Sequence, residues 1–353
     1  MSRSNPTGRR VALRPIPASP AVGFPLPPSA PPVRPGVTLA RWLELWMERE
    51  VEPCRADTTV SGYRNIIRNH IVPALGRVRL SDLSPALING YYQWLSSEKG
   101  LSPNTVRKHH VLLHTALKSA YRQGVIPVNP VQRATPPRPT EPEAVYYTPA
   151  RLARLLRAVG GTSLEVPVRL ACFLGLRRGE ILGLRWRDVD LQSGQLSVRW
   201  VRTAAGARVV EKPPKTSGSC RTLSIAALDD LVGLLRALRA QRRREGAPCS
   251  PDDFLLLGAD GSPLRPSALS SSLATFVREH RLPPITFHGL RHTFASMANS
   301  ARVPMYQISR AMGHANPGIT QRIYTHLFDQ THGEVLAAVA DVVKAGSTSL
   351  TSA

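Results

Sequence analysis

Apolar side chains first settle into a helical period near position 38. Leu39, Trp42, Leu43 and Trp46 recur three and four apart behind Thr38, which is placed as an N-cap. Val60, Tyr63, Ile67 and Ile71 predict a second helix from about 58 to 71, ended by Pro73 and Gly76. Ser84-Pro85 opens a third, through Tyr91, Trp94 and Leu95. Ser102-Pro103 opens a fourth, with Val106, Leu113, Ala116, Leu117 and Tyr121 on one side and Gly124 as its stop. In both Ser-Pro pairs a capping hydroxyl precedes the one helical position where proline's missing N–H costs nothing. Four helices over residues 37–127 predict a small all-α bundle, with Arg64, Arg68, Arg107, Lys108, His109 and Lys118 on its polar faces.

Proline punctuates the chain on either side of this bundle. Residues 1–36 are rich in Pro, with Ala, Ser and Arg, and predict an extended basic tail without a core. Residues 128–147 (within PVNPVQRATPPRPTEPEAVYY) predict a linker. A second domain follows over 148–330. Thr148-Pro149 caps its first helix, and Val166 to Leu174 is a buried one. DVDLQSGQLSVRWV reads as a turn and a strand; ARVVEKPPK and RTLSI read as further strands around a KTSGSC loop. Helices are expected from Ala226 to about Arg244 and from Ser267 to Glu279. In the last stretch, 331–353, Val335, Leu336, Val339, Val342 and Val343 give one apolar stripe on a short helix. The predicted fold class is mainly α with a small antiparallel β-sheet (α+β).

Charge narrows the function. The 353 residues hold 46 Lys+Arg against 24 Asp+Glu, a formal net charge of +22 and a pI of about 11.1. That excess points to a polyanionic partner, most simply nucleic acid, against the plainer reading of a merely basic surface. The amino-terminal tail either touches phosphates or is an inert leader. Cys54, Cys172, Cys220 and Cys249 are scattered, which fits neither a disulfide framework nor a zinc site and suits a reducing cytoplasm. No apolar run approaches the ~20 residues that cross a bilayer, and MSRSNPTGRR leads into no signal-peptide core.

The candidate chemistry lies between Thr286 and Tyr324. His288 and Arg291 stand three apart at a helix start, on one face; His314 follows in a Gly-His turn, and Tyr324 ends the run. A guanidinium offers a planar fork to two phosphate oxygens. A phenol, with an ordinary pKa of about 10, needs cationic neighbours before it serves as a nucleophile. GLRRGE supplies Arg177 with Glu180 three residues on, and KPPKTSGSC supplies Lys215 beside a turn. Each has a plainer alternative. Arg177 and Glu180 form a ready salt bridge; Lys212 competes with Lys215, and Tyr306 with Tyr324. His288 and His292 have zinc-helix spacing, but HGLRH lacks the glutamate of that motif and a third ligand.

Taken in chain order, these motifs closely resemble the tyrosine recombinase (phage integrase) family, over about residues 38–330. The resemblance implies a SAM-like four-helix core-binding domain and a catalytic domain that close on duplex DNA as a C-shaped clamp. It implies that Arg177 and Arg291 clamp the scissile phosphate, that His288 assists as acid or base, and that His314 bonds a non-bridging oxygen. Lys215 would protonate the leaving 5′ oxygen, Tyr324 would attack, and Glu180 would support the site. The expected partners are double-stranded recombination sites, three further copies of the chain in a homotetramer on paired sites, and an accessory directionality factor; no membrane is expected. No cofactor and no metal are expected, since the broken bond's energy stays in the phosphotyrosine and the chain has neither a Walker loop nor an acidic Mg²⁺ cluster. The carboxy-terminal helix would dock on a neighbouring protomer. The short Pro-rich start departs from relatives that carry a folded arm-binding domain. Dimer resolution, a type IB topoisomerase-like activity and a non-catalytic DNA-binding regulator are the alternatives.

Overall fold

The computed structural model describes residues 36–141, 145–214 and 217–313. Lys215, His314, Tyr324, the amino-terminal tail and the helix expected near the carboxy terminus lie outside these residues.

The first body is helical: α1 (Leu39–Trp46), α2 (Asp57–Ile66), α3 (Val72–Leu75), α4 (Pro85–Ser97) and α5 (Pro103–Arg122). Hydroxyl caps start three of them. Thr38 accepts from the Arg41 amide at 3.4 Å, Ser84 from Leu87 at 3.2 Å and Ser102 from Thr105 at 3.3 Å. The stop expected at Pro73 is replaced by a change of helix. Ile67–Ile71 forms a wider π turn, and the Val72 amide reaches back to Ile67 O. Pro73 then falls in the first turn of α3, where its missing N–H leaves no gap. Trp42 Nε1 donates to Ala116 O at 2.9 Å, tying α1 to α5.

Two side chains of this bundle sit opposite to their sequence pattern. His109, expected on a polar face, is buried, with Nδ1 2.9 Å from the Tyr91 hydroxyl. Burial, and then His70, whose ring lies 5.1 Å away, lower its pKa to about 4, so it is neutral near pH 7. Tyr121, expected inward, is 51% exposed because Ala116, Leu117 and Ala120 take the inward positions of the last turns. The core also continues to Val131 and Ala134, past residue 127, where the bundle was expected to end. Asn129 holds that extension, accepting from Val131 N at 3.0 Å and donating to His114 O at 3.1 Å.

The second body contains α6 (Pro149–Ala158), α7 (Glu165–Leu174), α8 (Arg178–Gly183), α9 (Asp229–Glu245), α10 (Pro266–Glu279), α11 (Phe287–Ser300) and α12 (Met305–Met312). Its strands are β1 (Val189–Asp190), β2 (Gln195–Val198), β3 (Val201–Ala205), β4 (Arg208–Lys212) and β5 (Arg221–Ser224). They form two antiparallel sheets rather than one: β1-β2-β5, and a separate β3-β4 hairpin. Arg199 and Trp200 part the two, so β3 leaves the sheet that β2 belongs to. The hairpin packs against α2 of the first body, where Lys212 Nζ donates to Thr58 Oγ1 at 3.4 Å. The main core gathers α6, α7, α9, α10 and α11 around residues such as Leu155, Leu170, Trp186, Leu235, Leu273 and Leu290. Gly175 ends α7 with φ 61°, and a Cβ there would stand 2.6 Å from the Phe294 ring. Only glycine lets the chain turn this tightly against α11.

Candidate active site

Gly175 delivers the chain to Arg177, the N-cap of α8, with Glu180 one turn on. Glu180 Oε2 accepts the Arg177 main-chain N–H at 3.0 Å, and Oε1 accepts its Nη1 at 2.8 Å. The local spacing thus makes a capped, bidentate pair. Arg221, at the start of β5, donates Nη2 to the same Oε2 at 3.0 Å. Arg291, from the second turn of α11, brings Nη1 to 4.0 Å from it. Three guanidiniums therefore surround one carboxylate that is 1% exposed, which leaves a net charge of +2. Burial alone would raise the Glu180 carboxyl, but Arg221 and Arg177 outweigh it and hold it below the usual carboxylate range.

The same three arginines grip the end of α12. Arg221 Nε donates to Ala311 O at 2.6 Å, Arg291 Nη2 to Met312 O at 2.8 Å, and Arg177 Nη1 and Nη2 to Gly313 O at 3.5 and 3.4 Å. Ser219 Oγ also donates to Gly313 O, at 3.2 Å. The last carbonyls of a helix lack intrahelical partners and carry its negative dipole end, so cations gather there naturally. His314 is the next residue in the chain.

Depth separates the residues on α11. Arg291 is 0% exposed, with Nη1 also donating to Gly175 O at 2.5 Å, whereas His288 is exposed at the rim. His288 meets His292 edge-on, ring centroids 4.4 Å apart. Partial burial of the ring, although the residue keeps exposed surface, then Arg291 and Arg177, lower the His288 pKa; burial, then His288 and Arg291, lower that of His292 to about 4. Both rings are neutral near pH 7, and a neutral imidazole can take or give a proton. The structure thus brings Arg177, Glu180, His288 and Arg291 together, while Lys215, His314 and Tyr324 lie outside the described residues. Lys212 points instead to Thr58, and Tyr306 stands exposed on α12. Arg221 was not singled out from the sequence; its only signal there is a cation opening the strand after the Lys215 loop.

This arrangement belongs, by comparison with known proteins, to a class of enzymes that cut and rejoin DNA. Residues 148–331 match the model of the phage integrase family and residues 44–135 that of the phage integrase SAM-like domain; the chain belongs to the phage integrase family. It is a tyrosine-type site-specific DNA recombinase, a mainly helical protein with small antiparallel sheets. It is 27% identical over 329 residues to a tyrosine recombinase XerC-like protein of Caldanaerobacter subterraneus subsp. tengcongensis, covering 87% of this chain and 83% of the relative. It is 25% identical to the integrase of Mycobacterium phage L5, covering 81% of this chain and 74% of that one. In fold it resembles the Tn1549 transposon integrase solved with a circular intermediate DNA, with a TM-score of 0.73, 21% identity and coverage of 86% and 99%. It also resembles a lambda integrase solved as a tetramer on a Holliday junction, with a TM-score of 0.61, 18% identity and coverage of 82% and 77%.

Proposed function

We propose that this recombinase integrates or excises a mobile element through a 3′-phosphotyrosyl intermediate, with Arg177 and Arg291 as the phosphate clamp. The observation that carries the assignment is the net +2 left where three guanidiniums share the single carboxylate of Glu180. A scissile phosphodiester supplies the missing negative charge. Arg177 is the accessible member, 38% exposed, and its bonds to Gly313 O are long enough to be exchanged for shorter, charge-assisted ones. Arg291 lies beneath it and engages the phosphate when the carbonyl of Met312 yields its place. Charge on the clamp counts most in the pentacoordinate transition state.

The Tyr324 oxygen attacks phosphorus as the P–O5′ bond breaks, and the phenolic proton leaves with the assistance of His288. Lys215 gives a proton to the departing 5′ oxygen, and His314 bonds a non-bridging oxygen. Ligation reverses these steps with the 5′ hydroxyl of the partner strand. The bond energy is held in the phosphotyrosine throughout, so the scheme asks for no nucleotide or metal. In this reading residues 37–134 form the core-binding body, 135–147 the linker and 148–330 the catalytic body. Four copies assemble on two paired sites, the helix in 331–353 docks on the neighbouring protomer, and an accessory factor biases direction.

The deciding experiment incubates the full chain with a nicked duplex chosen from a random pool by binding to it, and then denatures the mixture. A covalent adduct with the wild type, and none with Tyr324→Phe at equal DNA binding, is the expected result. An adduct persisting in the Phe variant would refute the nucleophile. No adduct at all would leave a DNA-binding regulator as the better reading.

A further inference from the structure

Arg221 adds charge to the site but touches no reacting group in the scheme above, and all three of its guanidinium nitrogens are engaged. Nη2 donates to Glu180 Oε2 at 3.0 Å, Nε to Ala311 O at 2.6 Å and Nη1 to Ser219 O at 3.1 Å. Its side chain is 8% exposed. One planar group therefore joins three segments that are far apart in sequence. Each adjoins a residue of the proposed site: Glu180 orients Arg177, Ala311 lies three residues before His314, and Ser219 lies four after Lys215. The divergent, coplanar donors of a guanidinium suit this task, and the single ammonium of a lysine does not. The fit is close on the far side too. Gly313 has φ 65°, and a Cβ there would lie 2.7 Å from Arg221 Nη1.

We propose that Arg221 is a positioning residue for strand cleavage, holding α8, the Ser219 turn and the end of α12, which adjoin Arg177, Lys215 and His314 in the chain, in mutual register. The proposal rests on the reading of the site given above. It separates Arg221 from Arg177 by commitment. Arg177 has exposed surface and long bonds to exchange, whereas Arg221 is spent on a carboxylate and two carbonyls and has no route to a phosphate that leaves them intact.

The test is single-turnover cleavage of the selected nicked duplex by full-length R221A, R221K and the double variant R221A/E180Q. Duplex affinity and melting temperature are measured on the same preparations. R221A and R221K should both cleave about 10²-fold slower, the scale on which a displacement of about 1 Å acts, with duplex affinity little changed. Millimolar guanidinium should restore part of the R221A rate by refilling the slot, a response that a merely unfolded protein does not give. The double variant should be no slower than the slower single variant, because both changes break one connected unit. Wild-type rates in R221A, or full activity in R221K, would overturn the proposal. A collapsed melting temperature with no response to guanidinium would also overturn it, since Arg221 would then serve the fold alone. Failure of the wild type to form any adduct would remove the underlying reading; a cleaving wild type with an unaffected R221A removes this one only.

Discussion

Glu180→Gln tests the charge arrangement most directly, because it removes one charge and almost no volume. Glu180 accepts three hydrogen bonds: from the Arg177 amide, from Arg177 Nη1 and from Arg221 Nη2. A glutamine has one carbonyl oxygen. Placed at the Oε2 position it keeps two of the bonds, but its amide N–H₂ then faces the Arg177 guanidinium, donor against donor. The group is 1% exposed, so solvent does little to screen the loss. A charge-assisted bond is worth about 1.5–3 kcal/mol, and breaking a buried pair from one side costs about 3–5 kcal/mol. A destabilisation of about 3 kcal/mol is therefore expected. In a body of this size it lowers the melting temperature by roughly 6–12 °C.

The pH dependence gives an independent check on the same residue. The folded-state carboxyl is held below its ordinary value of about 4.5. The stability that it contributes is complete above that pH and disappears as the pH falls through the lower folded value. E180Q should lack that part of the acid-induced loss. Cleavage should fall by about 10²-fold as Arg177 loses its anchor, while duplex affinity stays level or tightens because the site gains a net positive charge. Melting and adduct formation measured across pH report all three effects. An E180Q protein that melts and cleaves like the wild type would refute the claim that the carboxylate holds the arginines.

Lys215→Ala should cleave an ordinary duplex slowly but recover on a substrate with a 5′-bridging phosphorothiolate, whose leaving group needs no proton; no recovery would remove the general-acid role. Gly175→Ala should cost at least about 1–2 kcal/mol from the left-handed backbone alone, with the Phe294 clash added, as read from a denaturation midpoint; an unchanged midpoint would refute it. Duplex affinity should fall linearly on a log–log salt plot with a slope near −0.9 for each phosphate neutralised, and an affinity indifferent to salt would contradict the role given to the +22 charge.

What the sequence showed plainly was local. The Thr and Ser caps, the apolar periods of α1, α2, α4 and α5, and the three-residue spacings of Arg177 with Glu180 and His288 with Arg291 each lie within one helical turn or a few. What it hid was set at a distance. His109 looks like a polar-face residue until Tyr91, on another helix, supplies a buried partner. Pro73 looks like a stop because nothing in the sequence announces the π turn before it. The depth of Arg291 depends on Gly175 and the end of α12, and the acceptors there are main-chain carbonyls, which no side chain advertises. Arg221 is hidden for the same reason: its carboxylate partner comes from α8 and one of its carbonyl acceptors from α12, both far along the chain.

The docking of the β3–β4 hairpin on α2 bears on how far such proteins can be treated as interchangeable parts. Lys212, three residues ahead of Lys215, is bonded to Thr58 of the other body, so the arm leading to the proposed acid is braced from outside its own domain. A chimera that joined a foreign helical body to this catalytic one would replace that brace as well as the DNA contacts. It would inherit a new binding preference and, without any change to the catalytic residues, a different turnover. Recoding the target site by domain exchange would therefore require the α2 surface around Thr58 to travel with the catalytic half.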